Sequence, residues 1–132
     1  MGCNGNNGSK SFKTLMGKEY VGVKGQEAVD KLLAEKQGHV KGAFYREDIG
    51  EIDLFWGDKT AGLCHIVRRR KEEGNNPEKF LKNISMVIEK GKVFQNRQNP
   101  ERVNISYKGK MAVVTFELLG TETTALLTAF YT

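Results

Sequence analysis

Residues 61–70 read AGLCHIVRRR, one histidine among apolar neighbours followed at once by three arginines. Imidazole is the side chain whose unperturbed pKa best suits proton exchange near neutral pH. Guanidinium groups grip phosphate oxygens through paired N–H donors. On a helix, Arg68 and Arg69 stand three and four residues after His65 and share its face, while Leu63, Ile66 and Val67 point elsewhere. A proton carrier beside fixed cations suits metal-free cleavage of RNA. That reaction needs a base for the 2′-OH, an acid for the leaving 5′-oxygen, and cations or N–H groups for the charged phosphorane. A helix N-terminus nearby would add further N–H dipoles. The same residues also fit a solvated helix face, with Arg69 and Glu73 as an i,i+4 ion pair.

Other candidates are more scattered. Asp53 and His39 are the possible second proton carriers, although Asp53 could face solvent and His39, in QGHVKG, could bond local backbone. In the closing LLTAFYT, simple alternation puts Thr128 on one strand face with Leu126 and Phe130, its hydroxyl free for a phosphate oxygen. Arg70, Arg102, Lys108 and His39 are the further expected RNA contacts. The sequence lacks a Gly-rich phosphate loop, HExxH, CxxC and GxSxG. Two histidines are too few for a His-rich metal site, so neither metal nor cofactor is expected. Cys3 and Cys64 have no partners at metal-ligand spacing and are expected as reduced thiols in a cytoplasmic setting.

The 132 residues suit one domain, and 39% hydrophobic with 28% charged residues marks a globular chain. The longest uncharged apolar stretch, TTALLTAFYT, is too short to span a bilayer. No signal-like leader is seen. Much of the net charge of +5 comes from the lysines before residue 25, so the folded part is only mildly basic. Such a balance permits a polyanionic partner without requiring one.

Residues 1–20, rich in glycine and polar groups, are expected as a flexible tail, and 21–132 as the domain. GQEAVDKLLAEKQG has helical spacing, and HVKGAFYREDIGEIDLFWGD reads as two strands broken around Asp48–Gly50. TAGLCHIVRRRKEEG is a helix with Thr60 as a possible cap, and NPEKFLKNISMVIEKG is expected as a single helix. From Lys92 onward the pattern is β. A two-residue turn at Lys108–Gly109 sets Tyr107 opposite Lys110, Ile105 opposite Ala112 and Val103 opposite Val114. Helices should cover the Val103, Ile105, Ala112, Val114 and Phe116 face; the other face is polar enough for solvent or ligand. The class is α+β.

GHVKGAFYREDIGEIDLFWGD, GLCHIVRRR, MVIEKGKV and LLTAFYT, in this order, resemble the phage-associated nuclease domains of the barnase–EndoU–colicin–RelE-like (BECR) superfamily. The resemblance runs from about Gly25 to Thr132. It implies N-terminal helices packed on one face of an antiparallel sheet of about four strands, here with an extra N-terminal β-pair. It also implies a metal-independent endoribonuclease, in which His65 is an active-site residue, Arg68 and Arg69 its basic neighbours, and Thr128 the last strand's hydroxyl. The segment between WGD and the histidine is short here, only Lys59 to Cys64. The expected protein is a toxin or phage effector domain that cuts RNA by 2′-OH attack. It is expected as a monomer off the membrane, with RNA and a cognate inhibitor protein as partners, in the cytoplasm or delivered there within a larger protein. The alternative is a non-catalytic RNA-binding or protein-interaction module on the same scaffold.

Overall fold

The computed structural model describes residues 11–132. Its elements are α1 (Phe12–Met16), α2 (Gly25–Glu35), β1 (His39–Arg46), β2 (Gly50–Phe55), α3 (Leu63–Glu72), α4 (Pro77–Leu81) and α5 (Ile84–Lys90), followed by β3 (Lys92–Gln95), β4 (Arg102–Tyr107), β5 (Lys110–Leu118) and β6 (Thr121–Tyr131). The strands form one sheet in the order β1-β2-β6-β5-β4-β3. Neighbours pair antiparallel, except that β2 and β6 run parallel at Asp53 and Ala125. The class is α+β, but the sheet is mixed and larger than four strands. The N-terminal β-pair does not stand apart, because β2 lies against β6 and joins the pair to the antiparallel quartet.

Residues 1–10, with Cys3 and much of the expected tail, lie outside the described residues. Residues 11–20 carry α1 and a parallel bridge from Glu19 to His39. Cys64 is buried and disulfide-bonded rather than a reduced thiol, which removes thiol state as support for a cytoplasmic setting. No described helix is long and apolar enough to cross a membrane.

Apolar side chains on both sheet faces must be covered, and the chain covers each differently. On one face Val29 and Leu32 of α2, Ile66 of α3 and Val87 and Ile88 of α5 pack over Ile52, Leu54, Ile105 and Val114. On the other, Leu15 and Met16 of α1 pack with Phe55, Val113, Ala125 and Leu127. Helices therefore lie on both faces, not one. The face expected to be open is partly closed, because four of its residues are too apolar to leave wet. The β4–β5 hairpin has the expected register, with Lys108 and Gly109 both at positive φ, 46° and 84°, as its tight turn demands.

The stretch 77–90 is two helices, not one. Asn76 opens α4 by accepting the Lys79 N–H at 3.1 Å, and Pro77 occupies the first turn. At the break, the Phe80 carbonyl accepts from the Lys110 ammonium at 2.8 Å and the Leu81 carbonyl from the Gln26 amide at 2.7 Å. Donors from β5 and α2 thus take acceptors that a continuous helix would use itself. Asn76→Ala is expected to cost about 1 kcal/mol, read as a lower denaturant midpoint at unchanged m-value.

Arg46 closes the end of α5, donating to the carbonyls of Ile88 and Gly91, each at 2.8 Å. Its hydrogen bonds to Asp48 hold that carboxyl below the usual carboxylate range. The stability this pair contributes is present at neutral pH and lost as pH falls through the lowered value.

Candidate active site

The start of α3 is jammed against the end of β2. Gly62, the N-cap, has φ 91°, and a Cβ there would meet the Trp56 and Phe55 carbonyl oxygens at 2.7 and 2.8 Å. Its N–H donates to Leu127 on β6 at 2.9 Å, and the Cys64 N–H donates to Trp56 at 2.8 Å. Thr60 is therefore not the cap: its backbone N–H and hydroxyl both donate to Asp58 Oδ1, at 2.8 and 2.6 Å. Two N–H groups at the start of α3 are spent on a carbonyl of β6 and on that of Trp56, just past β2, instead of being free for an anion.

This short turn fixes the histidine. His65 Nδ1 lies 2.9 Å from the Lys59 carbonyl oxygen. A carbonyl only accepts, so Nδ1 carries the hydrogen, and in the neutral ring Nε2 holds the lone pair. The brief Lys59–Cys64 segment thus orients the imidazole.

Half-buried His65 lines a hollow of about 460 Å³ with Arg69, Arg70, Glu73, Thr128, Phe130 and Tyr131. Arg68 is not among them. It pairs with Glu72 at 3.1 Å and lines a separate groove with Trp56, Val67 and Lys71. At about 100° per residue, i+3 and i+4 fall on opposite sides of His65, and β6 lies on the i+4 side. Arg69 therefore enters the hollow, with Glu73 Oε2 4.0 Å from its guanidinium.

Arg70 ties α3 to β6. The residue is 4% exposed, and its guanidinium donates to the Ala129 carbonyl and, at 3.1 Å, to Glu73. It also lies 5.7 Å from the Phe80 ring centroid. β2 ends at Phe55, so the Leu127 and Ala129 carbonyls on that side of β6 lack a strand partner; Gly62 and Arg70 supply the donors. Arg70, expected as an RNA contact, is largely occupied by its own fold.

Thr128 reaches the hollow through a bulge. Val113 pairs with Thr128 but Val114 pairs with Leu126, leaving Leu127 extra. Leu126 therefore packs in the main core while Thr128 and Phe130 line the hollow, and simple alternation fails at that point.

The remaining candidates lie elsewhere. Asp53 Oδ1 accepts the Gly42 N–H at 2.8 Å, and His39 Nδ1 donates to the Met16 carbonyl at 3.1 Å. Both line a different hollow with Lys13, Glu19, Lys41 and Glu122. Arg102 begins β4, and Lys108 occupies the hairpin turn with its ammonium 5.4 Å from the Tyr107 ring. Neither lines the histidine's hollow.

Glu73 enters the hollow as the i,i+4 partner of Arg69 that spacing already offers, whereas Tyr131 is a lining residue that spacing does not reveal. Tyr131 is 41% exposed and meets Phe80 edge-on at 4.8 Å between ring centroids. Lys110 lies 4.9 Å from the Phe80 ring and 5.8 Å from that of Tyr131. Burial lowers the Lys110 pKa. The aromatic FYT ending was the available sequence signal, but the Phe80 contact that orients Tyr131 joins residues far apart in the chain. Among the described residues, no three His, Cys, Asp or Glu side chains are grouped to hold a metal ion.

The model of the phage-Barnase-EndoU-ColicinE5/D-RelE like nuclease1 family (PBECR1) matches residues 43–121. The match spans β2, α3 and the β4–β5 hairpin and includes His65 and Arg69, but stops before Thr128 and Tyr131. No curated protein and no solved structure matches the chain. With more than half its length matched, the chain belongs to the PBECR1 family of phage BECR-like nucleases.

Proposed function

We propose that this nuclease is an endoribonuclease that uses no metal ion. The carrying observation is the single hollow that gathers His65, Arg69 and Thr128, with His65 Nδ1 occupied and Nε2 available. The ribose 2′-oxygen attacks phosphorus while a base takes its proton, and the 5′-oxygen leaves as it is protonated. The products are a 2′,3′-cyclic phosphate and a 5′-hydroxyl. His65 serves as one proton-transfer group. Arg69 and the Thr128 hydroxyl hold the phosphorane oxygens. The other titratable groups of the hollow are Glu73 and Tyr131. Glu73 faces Arg69 and Arg70 as their carboxylate partner, which leaves the Tyr131 phenol as the second proton carrier. Asp53 and His39 lie away from this chemistry.

Family membership supports a phage effector or toxin role, and the proposal extends to a monomer acting on RNA in the cytoplasm, restrained by an inhibitor protein. The enzymatic claim is tested by incubating end-labelled single-stranded RNA with the chain in EDTA and analysing the ends. Cyclic phosphate termini are the expected result. Strict dependence on Mg²⁺, or cleavage leaving 3′-hydroxyl ends, would refute the mechanism. RNA bound but left intact would favour the binding-module alternative.

The two outer arginines should separate. Arg69→Ala is expected to slow cleavage by about 10- to 100-fold, less than loss of an enclosed oxyanion donor because its side chain is half exposed. Arg68→Ala is expected to stay within about twofold of wild type, the ordinary result of losing an exposed ion pair. Single-turnover rates on one RNA decide between them.

A further inference from the structure

On the sheet face opposite α2, α3 and α5, paired residues line up across four strands. Phe130 pairs with Met111, Met111 with Ser106, and Ser106 with Lys92. Paired residues of an antiparallel ladder project to the same face, so these four form a row from the hollow to the edge strand β3. All four retain at least partial exposure. The neighbouring row, Thr128, Val113, Asn104 and Phe94, is interrupted at Val113, which is buried in the cluster with Leu15 and Met16. Its outer end is open: Phe94 is 44% exposed and outside both apolar clusters. The Lys92 ammonium lies 5.5 Å from the Phe94 ring centroid.

We propose that the Phe130–Met111–Ser106–Lys92 row is the track of a single RNA strand, and that Phe94 and Lys92 form its distal subsite. A base stacks on the Phe94 ring while the Lys92 ammonium holds an adjacent phosphate. The proposal rests on the ribonuclease reading, since the hollow is the track's other end. Three strand spacings place the subsite about 14 Å from Phe130, a distance spanned by up to about four nucleotides at a stacked rise of ~3.4 Å. Bases locked in a duplex present no free face to Phe94, so the subsite selects unpaired strands.

The test uses the full chain carrying His65→Ala, which preserves the RNA, and fluorescence anisotropy with a labelled decamer and a dinucleotide. Phe94→Ala is expected to raise the decamer Kd roughly 5- to 150-fold, the worth of one base stack, and to leave the dinucleotide Kd unchanged. Phe94→Tyr should restore decamer binding. Lys92→Gln should reduce the slope of log Kd against log salt by about 0.7, one single-strand phosphate contact. An unchanged decamer Kd, an equal loss for the dinucleotide, or a decamer that does not bind would overturn the track. Cleavage by the otherwise unaltered chain in EDTA is scored separately. Phe94-dependent binding without cleavage refutes the ribonuclease reading alone, and cleavage indifferent to Phe94 refutes the track alone.

Discussion

Under the proposed mechanism, His65→Ala is expected to lower RNA turnover by roughly 10²- to 10⁴-fold, the usual contribution of a positioned general acid or base. The effect on folding should be far smaller. The imidazole is half-buried, and its hydrogen bond joins it to Lys59, an exposed turn residue. Loss of such a bond costs about 1 kcal/mol. Activity and stability should therefore part company, which a catalytic role requires and a packing role does not produce. Single-turnover rates at saturating RNA in EDTA, with thermal unfolding of both proteins, make the comparison. A well-folded His65→Ala protein cutting at the wild-type rate would exclude this histidine from the chemistry.

Arg70→Ala should act in the opposite sense, through the fold first. It removes a charged donor from the buried Ala129 carbonyl and a partner from Glu73. Hydrogen bonds made by charged groups are worth roughly 1.5–3 kcal/mol each. The Glu73 side chain is 45% exposed, so that bond is discounted for solvent, and a total loss of about 3 kcal/mol follows. The buried Arg70 Nε has no partner, a cost that partly offsets the gain from the guanidinium. Arg70→Met keeps the stem's packing and should recover part of the loss. Urea unfolding of the three proteins gives the order wild type, Arg70→Met, Arg70→Ala. Equal midpoints for wild type and Arg70→Ala would remove the clamp between α3 and β6.

Local periodicity carried part of this site and topology the rest. Helical spacing brings His65 and Arg69 together correctly, and the Lys108–Gly109 turn alone dictates the β4–β5 register. Spacing cannot choose between Arg68 and Arg69, because the choice depends on which side of α3 receives β6. The break at Lys82–Asn83 was equally illegible, since the donors that serve Phe80 and Leu81 come from Lys110 and Gln26. A bulge at Leu127 leaves no mark in an apolar run, yet it changes which residues share a face with Thr128. Asp53 and His39 have suitable chemistry but lie in another hollow, each engaged by a backbone group, a placement that local spacing does not show.

The position of β6 between β2 and β5 has a consequence for synthesis. Until residues 121–131 emerge from the ribosome, the early hairpin and the β3–β5 meander have no strand to join them. Thr128, Phe130 and Tyr131 lie in the same stretch, so without β6 the chain lacks both the joining strand and three of the seven residues that line the His65 hollow. Any activity that needs the His65 hollow therefore waits for β6 to take its place in the sheet.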